Sequence, residues 1–247
     1  MSSDSIRDRV KHQLADHLER LEGEGLWGLV IPEPGPMVGS ANTAAPDDVQ
    51  PIGSGVATPP GESSLRPVEA EALACVACRL HETRTKVVFG VGNPSARLMF
   101  IGEGPGRDED LQGEPFVGPA GRLLTKIIEA MGYEREDVYI ANAVKCRPPQ
   151  NRDPHADEVA ACRHFLMRQV ALIEPEIIVL LGLSAIRTVL DLNTPLSRLR
   201  GSFREWNGTR VMCTYHPAYL LRTPSAKGMV WDDMKMVRAA LDAAVAD

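Results

Sequence analysis

Three short apolar runs, separated by segments with helical patterning, constrain the fold of this chain more than any other feature. The runs read RLMFIG at residues 97–102, DVYIANAV at 137–144 and EIIVLLG at 176–182. Each is bounded by polar residues or glycine, as buried parallel strands tend to be. Helical patterns lie between them at residues 120–131 and 155–173. This alternation predicts an α/β fold with a central parallel sheet of about four strands flanked by helices.

A fourth strand is expected within residues 201–216, which read GSFREWNGTRVMCTYH. Asn207 and Gly208 lie in the middle of this segment, and Asn-Gly is the strongest short signal for a β-hairpin. The second arm of the hairpin would lead into the sheet. Residues 231–245 are expected to close the chain as a helix.

The first 67 residues differ in composition from the rest. Within residues 1–31, apolar residues at positions 6, 10, 14, 18 and 21 form one stripe along a predicted helix. This amphipathic helix would either dock on its own domain or bind a protein partner. Residues 32–67 are rich in Pro, Gly, Ser and Ala, which predicts a disordered linker. The folded domain is then expected at residues 68–247.

Composition narrows the environment of the chain. Its 247 residues are 44% hydrophobic, yet no stretch approaches the roughly 18 consecutive apolar residues of a membrane span. No secretory signal pattern opens the sequence, so we expect no membrane and a cytoplasmic location, with cysteines as thiols or metal ligands. The net charge of −6 argues against a nucleic-acid binder. Its acidic excess lies in the first 74 residues, however, so the arginine-rich remainder permits a DNA-binding surface.

The loops that follow the predicted strands have an unusual composition. The segment IGEGPGRDEDLQGEPFVGPAGRLL, residues 101–124, concentrates glycine and proline, as expected of a backbone shaped closely around a ligand. NAVKCRPPQNRDPH at residues 142–155 and YHPAYLLR at residues 215–222 follow two other strands. Ligands of α/β sheets bind beyond the carboxyl ends of the strands, so these three loops predict one site.

Four of the five cysteines are candidates for a metal centre. Cys75 and Cys78 form a C-x-x-C motif, and Cys146 and Cys162 follow later in the chain. The C-x-x-C precedes the sheet instead of joining a strand to a helix, which weakens a thioredoxin-like interpretation. Four thiolates suit a tetrahedral zinc or a 4Fe-4S cluster, and unliganded buried cysteines are a third alternative. Cys213 lies inside a predicted strand and is expected to be a small hydrophobic residue.

Together, the motifs GEGPG, GEPFVG, NAVKCRPP and HP and the four cysteines resemble those of the family 4 uracil-DNA glycosylases, the thermostable, iron–sulfur type. The resemblance runs from residue 75 to the C-terminus. It implies the three-layer α/β/α uracil-DNA glycosylase fold and a DNA repair enzyme that removes uracil from double- or single-stranded DNA. It also implies a structural 4Fe-4S cluster bound by Cys75, Cys78, Cys146 and Cys162. We expect a monomer associated with the nucleoid.

This resemblance assigns uracil-binding roles within the motifs. Asn142 would pair with O4 and N3–H of a flipped uracil, a pattern that cytosine presents inverted. Phe116 would stack on the base. The first motif would bring its backbone close to the uracil through Glu103, Gly104, Pro105 and Gly106.

Catalytic roles follow from the same motifs. His216 would donate a hydrogen bond to the negative charge that develops on uracil O2 as the glycosidic bond breaks. Glu109 would hold the attacking water, with Asn151 assisting. The alternatives to Glu109 are its acidic neighbours Glu103, Asp108 and Asp110. Leu220 and Leu221 are equal candidates for a side chain that fills the space left by the flipped nucleotide.

Two other functions compete with this one. A branch of the superfamily binds uracil-DNA covalently through a histidine in an inserted loop. That insertion is absent here, although His155 lies close to the corresponding position. A non-enzymatic iron–sulfur module that binds DNA is the second alternative, and the presence of Asn142, Phe116 and His216 argues against it.

Overall fold

The structure is a computed structural model, and it describes residues 62–244. The predicted N-terminal helix at residues 1–31 and most of the predicted linker lie outside the described residues. Among residues 62–244, no helix is both long enough and apolar enough to cross a membrane.

A six-stranded sheet in the order β1-β3-β2-β4-β6-β5 forms the centre of the fold. Its strands are β1 Val91–Gly92, β2 Leu98–Gly102, β3 Tyr139–Asn142, β4 Ile177–Leu181, β5 Phe203–Trp206 and β6 Thr209–Thr214. The four inner strands are parallel, and the edge strands β1 and β5 pair antiparallel with their neighbours. The parallel centre confirms the predicted α/β fold. Gly102 pairs with Asn142, so β2 and β3 end side by side.

Helices cover both faces of this sheet. They are α1 Glu62–Ala74, α2 Arg107–Gln112, α3 Pro119–Ala130, α4 Ala156–Ile173, α5 Leu183–Leu190, α6 Leu196–Leu199, α7 Pro217–Arg222 and α8 Lys227–Ala243, with 3₁₀ turns at Arg79–Glu82, Pro149–Asn151 and Pro224–Ala226. Alternate residues of β2 enter different cores. Met99 packs with α1, α4 and α5, whereas Phe100 packs with α3 and α8. The arrangement is therefore a three-layer α/β/α fold.

The first described helix begins inside the predicted linker. Helix α1 begins at Glu62, six residues before the expected start of the domain at residue 68. Leu65, Val68 and Ala72 are buried and share one face of this helix, which packs against α4. Burial of this apolar stripe stabilises the helix more than Pro67, which removes one backbone N–H donor, destabilises it. The linker was predicted from composition, which does not show this packing.

The other element boundaries are close to those expected from the sequence. Asn207 and Gly208 have φ values of 49° and 80°, the left-handed pair that a tight hairpin turn requires. They join β5 to β6 as the Asn-Gly signal predicts. Helix α8 begins at Lys227, four residues before the expected position.

Candidate active site

One cleft of about 560 Å³ lies at the carboxyl edge of the parallel strands. The loops that follow β2, β3 and β6 contribute its walls. Every residue predicted to bind uracil or to act in catalysis lines it, namely Glu103, Gly104, Pro105, Gly106, Glu109, Phe116, Asn142, Asn151 and His216. The fold thus gathers residues that are separated by more than 100 positions in the sequence.

Asn142 is the last residue of β3 and is only 2% exposed. Its side-chain Oδ1 has no hydrogen-bond partner among the described residues. A buried polar atom without a partner costs free energy, and nearly all such atoms in folded proteins are paired. An incoming ligand that presents an N–H group to this oxygen would remove that cost.

Phe116 is held next to Asn142 in an unusual backbone conformation. Its φ of 55° lies in the left-handed region, which is rarely occupied by residues other than glycine and is typical of functional sites. A Cβ atom on Gly102 would lie 2.5 Å from Asn142 Oδ1 and 2.6 Å from Phe116 Cζ. Only glycine at position 102 therefore lets both side chains approach the end of β2. The Phe116 ring centroid lies 5.5 Å from that of His216.

His216 is the N-terminal capping residue of α7, and its protonation state follows from its contacts. Its Nδ1 accepts a hydrogen bond of 3.1 Å from the backbone N–H of Ala218. A neutral imidazole in this geometry carries its proton on Nε2. Burial lowers the pKa of His216 to about 4, with a further contribution from the positive charge of Arg222. At neutral pH the ring is therefore an uncharged donor through Nε2–H.

Glu109 joins two of the glycine-containing loops. Its Oε2 accepts from the backbone N–H of Gly106 at 3.1 Å, and its Oε1 accepts from the N–H groups of Val117 and Gly118, both at 2.9 Å. These bonds occupy both lone pairs of Oε1 and leave one on Oε2. The carboxylate thus fixes the loop that carries Phe116 and can still accept one hydrogen bond from a water in the cleft.

The three acidic residues considered as alternatives to Glu109 differ in whether they line the cleft. Asp110 does not line the cleft; it is buried, and its Oδ1 accepts from the backbone N–H groups of Thr85 and Lys86 at 2.8 and 3.3 Å. It is therefore wrong as a candidate for holding water, because α2 points it away from the cleft. Asp108 and Glu103 do line the cleft.

Glu103 has an altered protonation equilibrium. Burial raises the pKa of its carboxyl group to about 7, and the negative charge of Asp153 adds to the shift. Close to neutral pH, Glu103 therefore exchanges between an uncharged hydrogen-bond donor and an anion at the wall of the cleft.

Asn151 lies at the rim of the cleft and is exposed. Its Oδ1 accepts a hydrogen bond of 2.7 Å from Arg147 Nε, so its amide nitrogen remains free to donate. Gln150 and Asn151 have φ values of 57° and 56°, and two consecutive left-handed residues other than glycine mark a strained loop.

The two wedge candidates on α7 face in opposite directions. Leu220 is 1% exposed and packs in the core with α3 and α8, whereas Leu221 is 47% exposed. Leu221 alone remains available to DNA. Tyr219, which the sequence reasoning missed, lines the cleft and stacks on Tyr215 at a ring-centroid distance of 5.0 Å. Its position three residues after His216, on the same face of a helix, could have indicated that it lies near the cleft.

Charged residues at the cleft were also missed from the sequence. Arg107 and Arg152 line it together with Arg222. Arg107 directly follows the glycine-rich motif at the start of α2, a position that favours contact with an anionic ligand. Arg152 forms a bidentate ion pair with the buried Glu158, which holds the loop after β3 against α4.

The four predicted metal-ligating cysteines line a second hollow of about 10 Å³. They are Cys75, Cys78, Cys146 and Cys162. Arg84 Nη1 donates to Cys146 Sγ at 3.2 Å, and the backbone N–H of Lys145 donates to Cys162 Sγ at 3.3 Å. Burial raises the pKa of the Cys162 thiol to about 11. Cys213 is buried in β6, apart from this hollow, as expected of a small hydrophobic residue.

Within residues 62–244, no three or more Cys, His, Asp or Glu side chains are arranged around a position for a single metal ion. The four thiols nevertheless line the same hollow, in which Cys146 and Cys162 are buried and Cys75 and Cys78 are partly exposed.

Comparison with known proteins places this geometry in a family. The sequence model of the uracil DNA glycosylase superfamily matches residues 89–235. The chain is 44% identical over 182 residues to a type-4 uracil-DNA glycosylase of Thermotoga maritima. This match covers 72% of this chain and 95% of that protein. A type-4 uracil-DNA glycosylase of Archaeoglobus fulgidus is 45% identical over 182 residues, covering 70% of this chain and 92% of that protein.

A more distant relative is a type-5 uracil-DNA glycosylase of Pyrobaculum aerophilum, 34% identical over 146 residues, covering 52% of this chain and 64% of that protein. The match to the type-4 enzymes is both longer and closer. The chain therefore belongs to the uracil DNA glycosylase superfamily and, within it, to the type-4 uracil-DNA glycosylases.

Proposed function

We propose that this chain is a DNA repair hydrolase that flips uracil out of DNA and hydrolyses its N-glycosidic bond, releasing free uracil and leaving an abasic site. The observation that carries the proposal is the unpartnered Oδ1 of Asn142, which lies beside Phe116 and the neutral His216 in one cleft. A base inside the duplex hides its Watson–Crick edge, so the nucleotide must leave the stack at a cost of a few kcal/mol.

Asn142 reads the flipped base. Its Oδ1 would accept from uracil N3–H, and its amide nitrogen would donate to uracil O4. Cytosine presents an amine at C4 and a bare N3, so both hydrogen bonds would meet like groups. A buried mismatch of this kind leaves polar groups unpaired, which rejects the wrong ligand strongly.

Phe116 and His216 act on the bound uracil from two sides. Phe116 provides an aromatic face for stacking, worth about 1–3 kcal/mol per base. As the glycosidic bond breaks, negative charge grows on the uracil ring, and His216 Nε2–H donates to O2. Because the imidazole is neutral, it stabilises the anion by hydrogen bonding without protonating it.

Water is the proposed nucleophile, and the enzyme is monofunctional. Glu109 Oε2 retains one lone pair toward the cleft, where it would orient a water molecule against C1′ of the sugar. Asn151 would assist from the rim through its free amide nitrogen. Glycine at position 104 lets the first motif pack against the loop after β3, since a Cβ on Gly104 would lie 2.8 Å from Val144 Cγ2.

The rim of the cleft supplies DNA contacts. Arg107 and Arg222 would contact phosphates, which fixes the register of the DNA and makes its binding sensitive to salt. Leu221 would fill the space left in the duplex by the flipped nucleotide.

The four cysteines fit a 4Fe-4S cluster. In such a cluster each thiolate binds a different iron, so the four sulfurs lie farther apart than around one tetrahedral zinc. The four thiols line one hollow, and no carboxylate among residues 62–244 lines it with them, so the donor set consists of sulfur as such a cluster requires. When bound, the cluster would join the segment before the sheet to the loop after β3 and to α4. It would supply cross-linking and take no part in bond cleavage.

No observation favours the covalent alternative. His155 is the N-terminal capping residue of α4, and it is not among the residues that line the cleft. It is therefore not positioned to attack a sugar held in the cleft.

The test uses the full chain and a labelled oligonucleotide that carries one uracil. Abasic sites are cleaved with alkali, and the Asn142→Ala and His216→Ala variants are assayed beside the unmodified protein. Asn193→Ala is the matched control, because Asn193 is exposed and does not line the cleft. We expect scission at uracil that both cleft variants reduce and the control retains. Equal activity in all four proteins would overturn the assignment of the cleft.

A further inference from the structure

Lys145 lines the cysteine hollow, three residues after Asn142 and next to Cys146, and it is only 1% exposed. A buried ammonium group is costly unless its donors are satisfied. Within residues 62–244, no carboxylate forms an ion pair with it. Hydrogen bonds to uncharged groups must therefore stabilise the buried ammonium group.

The ammonium group of Lys145 bonds directly to the uracil-reading residue. Its Nζ donates to the backbone carbonyl of Asn142 at 2.9 Å and to Gln169 Oε1 at 2.5 Å. Gln169 in turn donates to the backbone carbonyl of Phe89 at 3.0 Å and to the hydroxyl of Tyr139 at 3.1 Å. A buried polar network thus connects Asn142 to α4 and to the segment before β1.

The backbone of Lys145 is fixed as firmly as its side chain. Its N–H donates to Cys162 Sγ at 3.3 Å, and its carbonyl accepts from the N–H of Val88 at 2.8 Å. Asn142 ends β3, and the peptide group after it is already held on its N–H side, where Ala143 N–H donates to the Gly102 carbonyl at 2.9 Å. The Lys145 ammonium holds the carbonyl side of the same peptide group, so the two bonds together fix its plane and restrain the backbone from which the Asn142 side chain extends.

We propose that Lys145 is a positioning residue for Asn142: it fixes the Asn142 carbonyl and thereby aims the Asn142 amide at the flipped uracil. This inference rests on the proposed function of Asn142. Lys145 touches neither base nor sugar, so its whole contribution to the rate passes through Asn142.

The test is a double-mutant cycle on single-turnover uracil excision by the full chain. Lys145→Met keeps the length and apolar stem of the side chain and removes its donors. In the unmodified background we expect the rate to fall about tenfold or more, because small misplacements of a binding group cost that much. In the Asn142→Ala background we expect the same change to alter the rate by less than about twofold.

Two further variants keep the outcome decisive. Lys235→Met removes an equal charge from an exposed site, where Lys235 pairs with Asp232, and should leave the rate unchanged. Gln169→Met releases the second partner of Lys145 and should show the same dependence on Asn142. If Lys145→Met fails to fold, Gln169→Met takes its place in the double-mutant cycle. Iron content and visible absorption, measured for each protein, show whether a lost rate reflects a lost metal centre.

The outcomes separate this proposal from the proposed function. Equal rate factors in both backgrounds would overturn the positioning role and leave uracil excision intact. A rate loss that follows iron loss in proportion would also overturn it, since Lys145 would then act by retaining the metal centre. Absence of uracil release by the unmodified protein would overturn the proposed function, and this inference with it.

Discussion

The cleft at the carboxyl edge of the sheet and the cysteine hollow share one short segment, residues 142–146, which lines both, yet they differ in construction. The cleft measures about 560 Å³ and leaves the Asn142 Oδ1 without a partner. The hollow measures about 10 Å³, and two of its sulfurs already accept hydrogen bonds. A site for a transient ligand keeps polar atoms free, whereas a site for a permanent group surrounds its ligands with partners.

Backbone strain divides the two regions in the same way. Phe116, Gln150 and Asn151 all have left-handed φ values and lie in loops of the cleft, and none of the four cysteines does. Such strain persists only where the surroundings enforce it, and it is typical of sites that must be organised before the ligand arrives. We therefore expect changes in the cleft to alter rate and changes in the hollow to alter stability.

The largest effect is expected from Cys162→Ser in the hollow. Loss of one of the four proposed thiolate ligands should release the proposed 4Fe-4S cluster and lower the free energy of unfolding, by up to about 10 kcal/mol where a structural metal holds a fold together. Thermal unfolding and iron content measure both effects. Cys213→Ser is the matched control, because Cys213 is buried away from the hollow. Retained iron and an unchanged Tm in Cys162→Ser would contradict the expectation that changes in the hollow alter stability.

His216→Ala should affect only the rate. Removal of one donor to a developing anion typically lowers kcat about 100- to 1000-fold. We expect a Tm close to that of the unmodified protein, since the ring contributes one bond to a helix end. Single-turnover excision and thermal unfolding on the same preparation provide the comparison. A large fall in Tm would indicate that His216 is structural.

Phe116→Ala should produce the next largest change. Loss of stacking on the base is expected to weaken substrate use by about 1–3 kcal/mol. Phe203→Ala, on the edge strand β5, is the control for removal of a partly buried ring outside the cleft. The kcat/KM for uracil-containing DNA is the quantity to measure, and an equal loss in both variants would argue against a stacking role.

The smallest effect is expected from the titration of Glu103. Burial raises its pKa to about 7, above its ordinary value of 4.5, so the carboxyl group is neutral below pH 7 and anionic above it. Its contribution to folding stability is present at low pH and is lost as pH rises through 7. We expect kcat/KM to fall over the same range, because a negative charge in the cleft opposes phosphates and the uracil anion. In Glu103→Gln we expect kcat/KM to stay constant through this pH range. An unchanged fall of kcat/KM in that variant would show that another group titrates there.

Much of the fold could be predicted from local patterns. The apolar runs correspond to β2, β3 and β4, and the Asn-Gly signal corresponds to the β5–β6 turn. These features depend on a few neighbouring residues. The start of α1 was misjudged because its apolar face gains stability only by packing on α4, which a local reading of Pro67 does not reveal.

The cleft residues were predicted as a set, but the directions of individual side chains were not. Asp110 and Glu109 are adjacent in sequence, yet only Glu109 faces the cleft. Leu220 and Leu221 differ in the same way, because the rotation of α7 decides which of them is buried. Lys145 stayed hidden for a related reason, since its bond to Gln169 exists only once α4 packs beside β3.

The most direct test measures free base released by the full chain from three oligonucleotides that differ only in carrying one uracil, one cytosine or one thymine. Mass spectrometry of the small-molecule fraction identifies the base, and denaturing gels report any protein–DNA adduct. Thymine presents the same O4 and N3–H as uracil, so the thymine oligonucleotide tests whether the cleft excludes the 5-methyl group. Reading by Asn142 predicts release of uracil and no release of cytosine, with no adduct. Release of cytosine at a comparable rate, or a denaturation-resistant adduct in place of free uracil, would contradict it.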